Sequence, residues 1–168
     1  MKSIFRTVTT DLKANNISHV LFGGAILGYL RNRRFVPYDN DLDVWMDGKY
    51  WNTSLFAKIR RKWSSVDGIN TMYFWGGGML WVYYDKNIGN GVDIWPWYVR
   101  GPKLRMAKDY DHHYDVPKEL IFPLVSTDFS GIQTYVPGNP EGYCEWQYGT
   151  NWRQEKNCTK VERRKCIV

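Results

Sequence analysis

The segment from Val20 to Met46, VLFGGAILGYLRNRRFVPYDNDLDVWM, constrains the fold more than any other part of the chain. An apolar run ends in a Gly-Gly pair, a helical stretch follows, and the segment closes on Asp41 and Asp43 within an alternating apolar run. That order reads as strand, turn, helix and strand. Side chains two apart in a strand share a face, so Asp41 and Asp43 are expected to project side by side, with Leu42, Val44 and Met46 on the buried face of a half-buried strand. Adjacent carboxylates repel unless a cation lies between them, and hard oxygen ligands suit Mg²⁺ or Mn²⁺ with phosphate completing the shell. The turn at Gly23 and Gly24 offers backbone N–H groups and the positive end of a helix dipole to an anion. Asp-x-Asp alone is a weak signal, since acidic pairs commonly sit on solvated edges. A third acid, Asp93 in GVDIWPW, falls in another strand-like run, where a lone Asp would ordinarily cap a loop. Together the three acids point to divalent-metal phosphoryl transfer.

The rest of the chain reads as one α/β domain without repeats or a clear linker. Ile4, Phe5, Val8 and Leu12 form a helical stripe, ISHVLF reads as a strand, and Ala25 to Arg33 as the helix after the turn. Asp47-Gly48 closes the acidic strand. Trp51, Leu55, Ile59 and Trp63 recur at helical spacing, and Lys58, Arg60, Arg61 and Lys62 on that helix read as its solvated face. MYFWGGGMLWVYY reads as two strands about a Gly-rich turn, and Gly76 to Gly78 mark a hairpin rather than a phosphate cradle because no helix follows. Beyond Pro96 the chain looks richer in loops. His112 and His113, in DYDHHYD, are adjacent and match no metal-ligand spacing, so a surface loop is expected there.

At 168 residues the chain fits one core. Nine Trp and twelve Tyr supply core area, and some of these rings are expected to line a sugar or nucleotide site. A formal net charge of +6 favours anionic partners, of which nucleotide diphosphates, nucleic acid and acidic glycans all qualify. No apolar run reaches the length of a transmembrane helix, and MKSIFRTVTTDLK is amphipathic rather than a signal peptide, so the expected compartment is the cytoplasm. Cys144, Cys158 and Cys166 match no zinc or C-x-x-C pattern and read as free thiols, although Cys158 and Cys166 would be able to bridge in an oxidising compartment. Sequons at Asn16, Asn52 and Asn157 arise readily by chance.

The Val20–Met46 segment resembles the signature of the LicD family, which includes phosphocholine transferases of bacterial surface glycans and the fukutin and fukutin-related proteins, relatives of the nucleotidyltransferase superfamily. The family pattern is a Gly-Gly or Gly-Thr turn, LLG, an Arg, a short spacer and F-I-P-W-D-D-D-I-D. It aligns without a gap from Gly23 to Asp43, with Gly28, Arg31, Phe35, Pro37, Asp39, Asp41 and Asp43 on matching positions. VDIWPW around Asp93, FPL at Phe122 to Leu124, and VPGNPEGYCEWQYGTNW from Val136 resemble further family blocks. Arg34 replaces a usual Gly, Tyr38 a usual Trp, and Asn40 the middle Asp, which keeps an oxygen acceptor but removes a charge.

The resemblance implies a single nucleotidyltransferase-like domain over residues 1–156, a mixed β-sheet flanked by helices, followed by a basic tail over 157–168. It implies transfer of phosphocholine, ribitol phosphate or glycerol phosphate from a CDP-linked donor to a glycan hydroxyl, with release of CMP. Asp41 and Asp43 would hold Mg²⁺ or Mn²⁺. Asp93 would either complete the metal shell or accept the proton of the attacking hydroxyl. Gly23, Gly24, Arg31, Tyr38 and Asp39 would bind the donor, and nucleic acid is not an expected partner. Two other functions are open: a nucleotidyltransferase consuming a nucleoside triphosphate through the same Gly-Gly and Asp-x-Asp elements, and a non-catalytic glycan-binding module in which the aromatics matter and the acids are relics.

Overall fold

Helix α1 (Lys2–Ala14) forms where Ile4, Phe5, Val8 and Leu12 recur on one face, and all four are buried. The computed structural model describes residues 1–36, 39–65, 67–106 and 115–153. Strand β1 (His19–Leu21), helix α2 (Gly24–Asn32) and strand β2 (Asp43–Asp47) then follow the expected order. Helix α3 (Ser54–Ser65) buries Phe56, Ile59 and Trp63. Its basic run is partly structural: Lys62 pairs with Asp11 of α1 at 2.7 Å, and the Asp11 carboxylate also accepts the indole N–H of Trp63 at 2.7 Å. These bonds lock α1 to α3.

Strands β3 (Asn70–Phe74) and β4 (Met79–Tyr83) form the expected hairpin about a short 3-10 turn, and β5 (Gly91–Arg100) carries Asp93. The sheet runs β1-β2-β5-β4-β3 and is mixed: β2 and β5 are parallel, the other neighbours antiparallel. A parallel pair needs a long crossover, here supplied by α3 and the β3–β4 hairpin. The domain is therefore α/β, a mixed sheet flanked by helices.

Strand β5 decides where the sheet turns over to its second half. Gly91–Ile94 pair with β4, whereas Trp97–Arg100 pair with β6 (Lys103–Met106). Pro96, which has no N–H to donate, falls in the gap between these two ladders. The chain beyond Pro96 is not the loop-rich region expected from its sequence. After β6 come β7 (Asp115–Pro117), α4 (Lys118–Ile121), a hairpin of β8 (Val125–Phe129) and β9 (Ile132–Val136), and α5 (Pro140–Tyr148). Strands of three or four residues are too short for alternation to be legible.

The acidic strand also departs from expectation. It starts at Asp43, and it is buried on both faces, because Trp45 is as inaccessible as Val44 and Met46. Phe22 stacks on Trp45 at 4.0 Å and covers the second face. Cys144 is a buried free thiol whose pKa is pushed up to about 12 by burial. Tyr38, His112, His113, Asn157, Cys158, Cys166 and the basic tail lie outside the described residues. Among the described residues no helix is long and apolar enough to cross a membrane.

Candidate active site

The parallel pairing of β2 and β5 brings the separated acids together. Asp43 and Asp93 are register partners, so they project from one face of strands about 4.8 Å apart. The ladder extends upstream of β2: the Gly91 N–H donates to Asn40 O at 3.1 Å, Leu42 N–H to Gly91 O at 3.2 Å, and Asp93 N–H to Leu42 O at 2.9 Å. Asp41 is thereby held beside β5 although it precedes the strand. Its carboxylate is exposed and its charge reaches both Asp43 and Asp93.

Asp39, Asp43 and Asp93 carry the mark of crowding. Burial pushes the Asp93 carboxyl up to about 7, helped by the charges of Asp41 and Asp39. Asp43 is pushed well above the usual carboxylate range by burial and then by Asp93 and Asp41, a shift opposed by one hydrogen bond. That bond comes from the Trp95 indole N–H, which donates to Asp43 Oδ1 at 3.0 Å. Asp39 belongs to the same cluster: burial, a hydrogen bond shared with the Asp41 carboxyl, and the charges of Asp41 and Asp43 all raise its pKa. Asp93 Oδ1 is buried without a hydrogen-bond partner among the described residues. Such an atom costs free energy unless something outside the chain satisfies it.

The glycine turn abuts the acids, and its two residues do different work. Gly23 has φ of 55° and ψ of −136°, a backbone state open mainly to glycine, and a Cβ there would lie 2.6 Å from Asp43 Oδ2. Its N–H donates to the hydroxyl of buried Tyr143 at 3.2 Å. Gly24 opens α2. Ala25 N–H donates to Phe22 O and Ile26 N–H to Gly23 O, whereas no acceptor among the described residues takes the Gly24 N–H. That amide and the positive end of α2 are what the turn offers an anion.

One predicted donor contact stands apart. Arg31 is in the last turn of α2, about 10 Å along the axis from Gly24. Its Nη2 donates to Trp152 O at 2.8 Å and ties α2 to the segment after α5. Two further residues support the site: from sequence Trp95 reads as a ring shielding Asp93, and Tyr143 was not singled out. Trp95 orients Asp43, and Tyr143 holds Gly23 from α5, whose N-cap Asn139 accepts the Gly142 N–H at 2.9 Å. Both occur in blocks that carried the family resemblance, which was the available signal for them.

Gly23→Ala is expected to lower stability by about 2–3 kcal/mol and to displace Asp43, from backbone strain combined with the close carboxylate. Gly24, at the first position of α2 and without a positive φ, should tolerate Ala with a smaller shift of the denaturation midpoint. Equal midpoints for the two variants in urea titrations would show that Gly23 is not the constrained position.

A mixed sheet with a glycine turn feeding a helix beside paired strand carboxylates defines a nucleotidyltransferase-type fold. The LicD/FKTN/FKRP nucleotidyltransferase domain matches residues 16–139, and the chain belongs to this family. Ribitol 5-phosphate transferase FKRP of Mus musculus is 27% identical over 155 residues, which cover 89% of this chain and 31% of that protein. The Homo sapiens protein of the same name is 26% identical over the same coverage. The chain thus spans about a third of the length of these relatives. Among solved structures, the lincomycin-bound lincosamide antibiotic adenylyltransferase LnuA superposes with a TM-score of 0.59 at 13% identity, over 100% of this chain and 98% of that one. The antibiotic-resistance factor ANT(2'')-Ia gives a TM-score of 0.52 at 11% identity, over 80% of this chain and 63% of that one. At such identities the likeness is one of fold.

Proposed function

We propose that this domain transfers a phospho-alcohol, phosphocholine, ribitol phosphate or glycerol phosphate, from a CDP-linked donor to a glycan hydroxyl and releases CMP. The observation that carries the reading is Asp43 and Asp93 in register beside the Gly23 turn, in a member of a family whose similar proteins include ribitol 5-phosphate transferases.

The carboxylates fit Mg²⁺ or Mn²⁺. Asp93 Oδ1 has no partner among the described residues, and Asp43 Oδ2 lies beside the bare Cα of Gly23. Among the described residues no three His, Cys, Asp or Glu side chains form a ready-made metal cage. Mg²⁺ is commonly held by one or two carboxylates together with substrate phosphate. Asp43 and Asp93 would hold the ion, with Asp41 at its exposed side. When bound, such an ion neutralises charge on the transferring phosphoryl group. The Gly24 N–H and the α2 dipole would bind the donor's pyrophosphate, and Trp95 keeps Asp43 in place as they do so. The acceptor hydroxyl forms a new O–P bond at the phosphorus bearing the alcohol and gives up its proton to solvent, the bond between that phosphorus and the bridging oxygen of the pyrophosphate breaks, and CMP leaves with that oxygen.

The test is CMP release from CDP-choline, CDP-ribitol and CDP-glycerol with Mg²⁺ or Mn²⁺ and candidate glycans. Release from one of the three is expected. No release from any of them, together with pyrophosphate release from ATP or CTP, would replace this reading with the triphosphate-consuming one.

A second consequence concerns pH. Asp39, Asp43 and Asp93 hold protons more tightly folded than unfolded, so this part of the stability is fully present below about pH 4. It is lost as the pH rises through about 7, where Asp93 ionises. In chelator the Tm should fall between about pH 5 and 8, and added Mn²⁺ should reduce that fall. A Tm in chelator that rises over this interval would contradict the crowding of the acids.

A further inference from the structure

The register that pairs Asp43 with Asp93 continues across the sheet. Trp81 of β4 lies opposite Asp93, and Met72 of β3 lies opposite Trp81. Residues opposite one another on neighbouring strands share a face, so the acids and these side chains form one row. Along β4 the opposite face is sealed, with Leu80 and Val82 fully buried, whereas Trp81 and Tyr83 on the acid face remain part-exposed. Their rings stack at 4.0 Å and 19°, and Phe74, 37% exposed, lies 6.2 Å from Trp81. The indole is seated against β5: a Cβ on Gly91 would meet Trp81 Nε1, so the absence of a side chain at Gly91 makes room for the ring. The indole N–H has no hydrogen-bond partner among the described residues.

Resting on the phospho-alcohol transfer reading, we propose that Trp81, Tyr83 and Phe74 form the subsite for a neutral sugar ring of the acceptor, immediately beside Asp93. Two arguments select that occupant. Neither β3 nor β4 contains a charged residue, so nothing there complements a pyrophosphate or phosphate. In-line displacement places the attacking and leaving oxygens on opposite sides of phosphorus. With the donor's pyrophosphate at the α2 turn on the β1–β2 side, the acceptor enters from the β4–β3 side. Aromatic faces with a free N–H suit a sugar, which presents apolar C–H groups and hydroxyls together.

The experiment needs no donor. Indole N–H signals of ¹⁵N-labelled protein are followed by NMR as methyl glycosides of common hexoses and N-acetylhexosamines are added, and separately as CMP is added. The Trp81 signal, assigned by its loss in Trp81→Phe, should move with at least one glycoside and not with CMP. Trp81→Ala should weaken that glycoside about tenfold or more. Trp81→Phe, which keeps a ring against Gly91, should retain part of the affinity. Movement with CMP alone would assign the rings to the donor's base and overturn the proposal while leaving the transfer reading intact. No movement with any glycoside also overturns it. Failure of the transfer reading shows separately, as absence of CMP release from all three CDP-alcohols.

Discussion

Asp43→Asn should lower transfer by about a thousandfold or more while leaving the metal-free protein folded, and at neutral pH more stable than the parent. The loss follows from removing one of the two carboxylates proposed to hold the ion, whose charge stabilisation of the transition state amounts to several kcal/mol. The retained fold follows from the contacts. Asn keeps the oxygen that accepts the Trp95 indole N–H and preserves the shape that packs against Gly23. It also removes a buried charge that Asp93 and Asp41 oppose. Initial rates with a CDP-alcohol, paired with melts in chelator, check both halves. A Tm well below the parent's would show that the carboxylate is a structural element.

Asp93→Asn should cause a loss of similar size, and the accompanying loss of binding identifies its role. From sequence alone Asp93 reads either as a base or as a third ligand. Its register opposite Asp43 and its partnerless Oδ1 favour a shared ion. Metal-dependent affinity for a CDP-alcohol, titrated calorimetrically, should therefore fall in Asp93→Asn about as far as in Asp43→Asn. Donor affinity held near the parent's, with the rate reduced by 10²–10⁴, is the signature of a general base instead. Burial pushes the Asp93 carboxyl up to about 7, a range in which either role is chemically open.

The two variants differ in what surrounds the altered group. In the sequence Trp95 and Trp97 follow Asp93 closely, where their rings would exclude water and raise its pKa. In the folded chain Trp95 reaches across to Asp43, and Asp93 is shifted by burial and by Asp41 and Asp39. A Trp95→Phe change therefore disturbs Asp43, although Trp95 lies two residues from Asp93.

Features that depend on near neighbours were legible in the residues themselves. The stripe Ile4, Phe5, Val8 and Leu12, the glycine turn before α2 and the hairpin about Gly76 each follow from periodicity or turn chemistry within a dozen residues. The acids were legible as a set because they recur in blocks that resemble those of one family. The segment after Pro96 was not, because β6 and β7 are too short for alternation to show, and Pro96 itself lies inside β5, in the gap between its ladders with β4 and β6.

What the sequence by itself determined is the inventory of the candidate site: Gly23 and Gly24, Asp39, Asp41 and Asp43 on one segment, and Asp93 on another. Only the tertiary structure decided that Asp43 faces Asp93, that Trp95 serves Asp43, that Tyr143 holds Gly23 from far along the chain, and that Arg31 is turned to Trp152. Local order depends on the rotation from one residue to the next, which a sequence carries. A shift of one residue between β2 and β5 would turn the two acids to opposite faces with no change in either strand's own pattern, so their meeting depends on packing across the whole sheet.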